Sequence, residues 1–413
     1  MMGHTAEPSA RSTARWLPVI MLALGTFCAG TDNYLIAGVL SSMAKDLHVS
    51  VAGAGQFVTA YSISYAVGAP IVMTVLRVRS ARRMLVTAIG LFVVVNVLAA
   101  VAQDAAMMAV ARVLAGCLGG LYSPLAAATA TGMVAADRRG RALAVVLGGT
   151  SVATLAGVPI GIWIAHLSSW RGAFLFVALL AVIAAIGVVL TVPNGGATPT
   201  VPPRARVAPL RQPSVLLALG VTVAGLGAGF MIYTYLQPLF AAQPAVGGGA
   251  VGPLIMVQGA GALLGLWLGS WLVDRYGGRP VLLVSLAVFT VDLALLPLTS
   301  RSLVTAFVFV AVWGVVGWAF VPAQQYSLIA TERAELAPIL LSLNGSAMYI
   351  GIAAGSAVGG FVTASFGPDR LWLFATAFAA VGLVLALVRS LQARSNERAD
   401  DVPAQRDVEH EHR

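Results

Sequence analysis

Two stretches, "RVLAGCLGGLYSP" at residues 112–124 and "VAVWGVVGWAFVP" at residues 310–322, carry the same punctuation. Gly116, Gly119 and Pro124 of the first match Gly314, Gly317 and Pro322 of the second, each pair 198 residues apart. The offset persists outward. "ATLAGVPIG" at 153–161 and "GIAAGSAVG" at 351–359 align at the same shift, pairing Gly157 with Gly355 and Gly161 with Gly359. Arg79 and Arg83 match Arg275 and Arg279 at a shift of 196. Helix packing alone would account for any one glycine match, but a near-constant offset over several segments marks an internal repeat. Parallel repeats of this length build transporters whose substrate site lies near the midplane between the halves.

The solvent for these repeats is lipid. The chain has 413 residues, 59% hydrophobic and only 10% charged, with a mean hydropathy of +0.88. Soluble proteins carry about 25% charged residues. A helix crosses the hydrocarbon with about 20 apolar residues. Twelve runs meet that length, from Trp16–Ser41 to Leu371–Leu391. No cleavage site follows the first, so it reads as retained. If residue 1 is cytoplasmic, the segments on that side hold 20 of the 25 Lys and Arg residues. Only Lys45, Arg171, Arg301 and Arg370 lie in the opposite loops, and Arg112 lies within a span. The positive-inside rule therefore predicts both termini in the cytoplasm. The pI of about 10.1 is then an effect of the cytoplasmic face and does not point to nucleic acid. The predicted division is a six-helix half over 1–192, a Pro- and Gly-rich cytoplasmic linker over 193–213, a second half over 214–392 and a disordered polar tail over 393–413. His410 and His412 in that tail read as solvated residues rather than a metal pair. Cys28 and Cys117 sit in apolar runs and read as small packing residues.

Charges inside spans are expensive, about 2.5–3.5 kcal/mol each on insertion scales, and so mark function or pairing. Asp32 lies about 13 Å below the outer end of the first span at 1.5 Å per residue, and Arg112 about 10 Å below the outer end of the fourth. Asp292 is the only other acid within a span, matches Asn96 in the first half, and reads either as a second coupling acid or as a packing residue. Polar and aromatic candidates for a cavity wall are Asn33, Tyr34, Tyr61, Tyr122, Tyr233, Gln258, Trp313, Gln325 and Asn344. Each could equally serve packing or an interfacial aromatic belt.

"GSWLVDRYGGRP" after the eighth span resembles the cytoplasmic loop signature of the major facilitator superfamily, with Asp274, Arg275, Gly277 and Arg279 in place. "RVLAGCLGGLYSP" is similar to its fourth-helix signature, with Arg112, Gly116 and Gly120. "AGVPIG", with Gly157, Pro159 and Gly161, is similar to the fifth-helix antiporter signature of exporters. "GTDNYLIAGVL" and "VTAYSISYAVGAP" resemble the start of the twelve-helix drug:proton antiporters, nearest to chloramphenicol-resistance and sugar- or arabinose-efflux proteins. The resemblance covers all but the tail. In the first half, Val78 stands where the loop signature has Asp, which leaves the charge latch mostly to Asp274 and Arg275. The alternative for that loop is a plain turn.

The resemblance implies an all-α membrane fold with helices 1, 4, 7 and 10 around a cavity, 2, 5, 8 and 11 at the seam, and the rest outside. It makes helices 1 and 4 neighbours, and so pairs Asp32 with Arg112. Beside an arginine a buried carboxylate stays ionised, and away from it burial favours the protonated form, which would make the pair a proton switch. The alternative is a purely structural ion pair. The expected function is proton-coupled export of small amphipathic organic molecules, drugs or antibiotics, by a monomer in the cell membrane. No cofactor is expected beyond the proton gradient. Export of a metabolite such as a sugar, nucleoside or amino-acid derivative is the alternative, and a non-transporting membrane protein a remote one. No catalytic motif and no ATP-binding G-x-x-x-x-G-K-[ST] motif occurs.

Overall fold

The computed structural model describes residues 16–75, 80–194, 208–241, 243, 246, 248–299, 302–330 and 336–411. Arg77, Val78 and Arg79, most of the linker, and the side chains of 393–411 lie outside that description. Among the described residues there are twelve long helices. The first half holds α1 (Trp16–Asp46), α2 (Val51–Val75), α3 (Ala81–Ala100), α4 (Ala105–Gly132), α5 (Arg139–Leu167) and α6 (Trp170–Thr191). The second holds α7 (Pro213–Thr234), α8 (Val251–Tyr276), α9 (Gly278–Thr299), α10 (Leu303–Ala330), α11 (Ala337–Phe366) and α12 (Leu371–Glu411). Eleven of these are long and apolar enough to cross a membrane by composition, and α2, with 25 residues, has the length to do so.

Local chemistry sets the ends. The Asp104 carboxylate accepts the Met107 N–H at 2.8 Å and starts α4. Gly277 and Gly367, at φ +81° and +84°, end α8 and α11 in a region where a Cβ is strained. Inside α5, one π turn spans Ala153–Gly157 just before Pro159. Proline has no N–H to give to the carbonyl four residues back, so the bonding pattern slips there.

The repeat reappears in packing. α1 packs on α5 as α7 packs on α11, α2 on α4 as α8 on α10, and α3 on α6 as α9 on α12. The halves meet where α2 lies on α11 and where the π turn of α5 lies on α8. Side chains such as Leu190, Trp267 and Val304 are exposed on the outside of the bundle, as lipid-facing helices require. One end of the bundle carries Arg82, Arg83, Arg139, Arg141, Arg275 and Arg279, and the other carries Lys45, Asp46 and Arg171. Hydrogen bonds stitch the seam at the Lys45 end, where the Ser41 N–H gives to Gln237 Oε1 at 3.1 Å and the Tyr235 hydroxyl to the Ala52 carbonyl at 3.5 Å. The Ser346 hydroxyl gives to the Ala66 carbonyl at 3.2 Å deeper in the bundle.

Two boundaries differ from the sequence reading. α1 runs past Ser41 to Asp46 because Met43 and Ala44 are buried, and Asp46 accepts hydrogen bonds from the Trp170 indole at 3.0 Å and Arg171 at 2.8 Å. α12 runs on as helix to Glu411, into the polar tail that the sequence sets apart.

Candidate functional site

Asp32 lies in the middle of α1 and is fully buried. One guanidinium nitrogen of Arg112, on α4, stands 2.8 Å from both Asp32 carboxylate oxygens. The other terminal nitrogen donates to the Asp32 backbone carbonyl at 3.3 Å. Both side chains are 1% exposed. An ion pair so deep survives only with close geometry and further partners. Tyr61 of α2 supplies one, its ring lying 4.4 Å from the Arg112 guanidinium carbon while its hydroxyl donates to the Ala29 carbonyl at 3.2 Å. Phe174 of α6 faces the guanidinium at 5.9 Å.

The signature glycines hold this arrangement. A Cβ on Gly116 would strike the Tyr61 carbonyl oxygen, and one on Gly120 the Tyr65 carbonyl oxygen. The backbone of α2 therefore lies directly on α4, which sets Tyr61 beneath Arg112. Tyr65, one turn on, stacks on Tyr349 of α11 with ring centres 3.5 Å apart, across the seam. Gly157, at the end of the π turn, faces Thr31 and the Phe27 ring, so α5 touches α1 beside Asp32. Gly161 packs on Leu35, and the Thr154 carbonyl within the π turn lies against Gly259 of α8.

Where α1 and α5 face the second half there is a narrow chamber of about 380 Å³, counting space open to solvent, which neither Asp32 nor Arg112 lines. Tyr34, Tyr233, Gln258 and Trp313 line it, together with Thr154, Phe230, Phe289 and Trp318, which the sequence reading did not single out. The Tyr34 ring lies 5.7 Å from Phe230 and 5.9 Å from Tyr233, and the Tyr233 hydroxyl reaches the Tyr34 carbonyl at 3.4 Å. The walls thus come from α1, α5, α7, α8, α9 and α10; of the four helices expected, α1, α7 and α10 contribute and α4 does not.

Other expected wall residues sit elsewhere. Asn33 is buried but does not line the chamber. Tyr61 positions Arg112. Tyr122 fills the space over Gly25, and its hydroxyl donates to the Leu22 carbonyl at 3.3 Å. Asn344 accepts from the Thr222 hydroxyl at 2.6 Å, joining α11 to α7. Gln325 is only half-buried, and its neighbour Gln324 is the inward residue, its amide donating to the Ala218 carbonyl. That phase was available in the sequence, since Trp313, Gly317, Phe320 and Gln324 form one stripe at helical spacing. Asp292 is buried in the second half, and its Oδ2 has no hydrogen-bond partner among the described residues. Asp274 and Arg275 are exposed. Arg275 faces the rings of Trp271 and Tyr276, and Asp274 makes no ion pair among the described residues. Arg279 lies on the first turn of α9 near Arg389 and Ser327. Cys28 and Cys117 are free thiols.

A profile of the Major Facilitator Superfamily matches residues 22–335 and again 246–408. The chain belongs to that superfamily. It is similar to the inner membrane transport protein YdhP of Escherichia coli O157:H7, 32% identical over 347 residues, 84% of this chain and 88% of that one. It is similar to a chloramphenicol resistance protein of Streptomyces lividans, 31% identical over 364 residues, 86% of this chain and 92% of that one. In fold it matches the crystal structure of a bacterial homologue of the human lysosomal transporter Spinster, solved inward-facing and unoccupied. That match has a TM-score of 0.73 and 17% identity, and covers 92% of this chain and 98% of that one. This major facilitator protein is a multi-pass membrane transporter, and members of its family are not enzymes.

Proposed function

We propose that this transporter exports small, uncharged or zwitterionic amphipathic molecules in exchange for protons, as a monomer whose two termini face the cytoplasm. The observation that carries the reading is the fully buried Asp32–Arg112 pair, whose acid stands on the same helix, α1, as Tyr34 of the aromatic chamber. A carboxylate held only by an arginine is a two-state group, ionised while the arginine is in contact and open to a proton when helix movement parts them. The chamber offers aromatic faces and one amide but no charged wall, which suits amphipathic cargo better than phosphate esters. The relative named for chloramphenicol resistance and the fifth-helix "AGVPIG" segment support the export direction. The arginine-rich end, by the positive-inside rule, is the cytoplasmic one. Exposed Asp274 and Arg275 lie at that end and serve as its latch. The test is flux of labelled chloramphenicol and labelled arabinose in proteoliposomes under an imposed pH gradient. Chloramphenicol moving against its gradient, and stopping with a protonophore, is the expected result. Protonophore-insensitive movement rejects proton coupling, proton-driven uptake rejects export, and transport of arabinose alone turns the reading to metabolite efflux.

A further inference from the structure

We propose that Asp292 is a second proton-binding site, in the half of the protein that lacks the Asp32–Arg112 pair. It deepens the proton-exchange reading and rests on it for the direction of transport. In this conformation Asp292 is a neutral carboxylic acid, and its proton is exchanged during the cycle.

The argument turns on the internal repeat. Asp292 lies on α9 at the position that Asn96 holds on α3, 196 residues earlier. The two helices pack alike, α3 on α4 and α6, and α9 on α10 and α12. Asn96 is 1% exposed, and its amide donates to the Phe92 carbonyl one turn back at 3.0 Å, while its Oδ1 has no partner among the described residues. The position therefore takes a neutral side chain with one donor. Asp292 has the length of asparagine, is 8% exposed, and leaves Oδ2 without a partner. As a carboxylate it has no donor to offer, and a charge left alone at that depth is costly. With a proton on one oxygen it gains the donor that Asn96 has. The Val288 carbonyl, four residues back, is the counterpart of the Phe92 carbonyl in the repeat.

Among the described residues nothing charged is placed to hold Asp292 ionised. It lies about 10 Å below the outer end of α9. The buried residues of α10 and α12 over that outer half include Ala306, Phe309, Val310, Leu371 and Ala375. α10 has no charged residue, and its Tyr326 lies near the arginine-rich end. Asp274, Arg275 and Tyr276 of α8, Arg389 of α12 and Arg279 of α9 itself lie toward that end as well. Tyr233 of α7 directs its hydroxyl to the Tyr34 carbonyl. Asp32 is thus an acid with a cation, and Asp292 an acid without one. Phe289, one turn before Asp292, is a wall of the chamber, so α9 joins the chamber to the second proton.

The test is labelling of the full-length protein in lipid vesicles with dicyclohexylcarbodiimide, an apolar reagent that reacts with carboxylic acids while they carry their proton. The acid O–H adds across one C=N bond, and the acyl group then moves from oxygen to nitrogen, leaving an N-acylurea with nothing released. Peptide mass spectrometry reads the label at each acid. At neutral pH Asp292 should label at least about tenfold more than Asp32, which its arginine keeps ionised. Asp292→Asn has the shape and the donor of Asn96, so it should unfold at the parent's temperature and lose only that label. In vesicles at a pH gradient of about one unit and no membrane potential, it should lower the limiting chloramphenicol gradient about tenfold, the share of one exchanged proton. An Asp292 that labels no more than Asp32, or a limiting gradient equal to the parent's, overturns the site. Failure of the export reading shows separately, as full labelling of Asp292 in a protein that moves no chloramphenicol.

Discussion

Substitution of Asp32 and Arg112, singly and together, tests the coupling site most directly. One guanidinium nitrogen contacts both carboxylate oxygens at 2.8 Å, with both side chains 1% exposed. At roughly 4 Å between charge centres and an effective dielectric of about 20, the attraction is about 4 kcal/mol. Removing one partner of a buried pair costs about 3–5 kcal/mol because the other charge is stranded. Arg112→Ala should fall in that range and also lose the packing over Tyr61. Asp32→Asn keeps the volume and one acceptor, and the guanidinium keeps the Tyr61 ring and the Asp32 carbonyl, so its cost should be lower, about 2–4 kcal/mol. The double variant should fall short of the sum by about 2–3 kcal/mol, since the two act as a unit. Unfolding in one detergent measures these differences. Transport adds the decisive readout, because Asp32→Asn should fold, reach the membrane and yet lose concentrative efflux and substrate-induced proton release. Additive costs would show that the pair does not interact. An Asp32→Asn protein that pumps and releases protons like the parent would make Asp32 a structural partner only, and Asp292 the next acid to test.

Asp274→Asn should leave stability within about 0.5 kcal/mol, because the side chain is exposed and makes no ion pair among the described residues. It should nevertheless slow turnover and favour the state open at the arginine-rich end, read as labelling of single cysteines on the two faces; an unchanged ratio with normal transport counts against the latch. Gly116→Ala should cost about 1–3 kcal/mol or more, since the new methyl meets the Tyr61 carbonyl, and should impair efflux by moving Tyr61 from under Arg112. Thermal unfolding with efflux per molecule checks both, and a stable, fully active variant rejects the notch. Asp46→Ala removes a partly exposed ion pair to Arg171 and should cost about 1 kcal/mol with transport intact, the effect shrinking in high salt.

How much of this was legible in the sequence depends on the kind of information. Twelve membrane-length runs, the two-half repeat and the family membership follow from apolar length, glycine and proline spacing, and motif order, all of which are local or periodic in the chain. The cost of burying Asp32 also announced itself, because a lone acid in an apolar run is expensive wherever the helix is placed. Contacts are another matter. The sequence put Asp32 and Arg112 at similar depth, but only the packing of α1 on α4 brings their atoms to 2.8 Å. Gln324 and Gln325 are adjacent residues separated by about 100° around α10, and although the stripe through Trp313, Gly317 and Phe320 singles out Gln324, its bond to the Ala218 carbonyl exists only where α10 meets α7. Asn344, a plausible wall residue, is taken up by Thr222, a partner 122 positions away. Gly116 and Gly229 are the same residue type within the same sort of apolar helix, yet one is met by a backbone and the other by the side-chain rings of Trp313 and Phe289. Helix formation in lipid is decided residue by residue, because each segment must satisfy its own backbone. The shape between helices is decided by what several of them present together at one place, and that is a property of the tertiary structure alone.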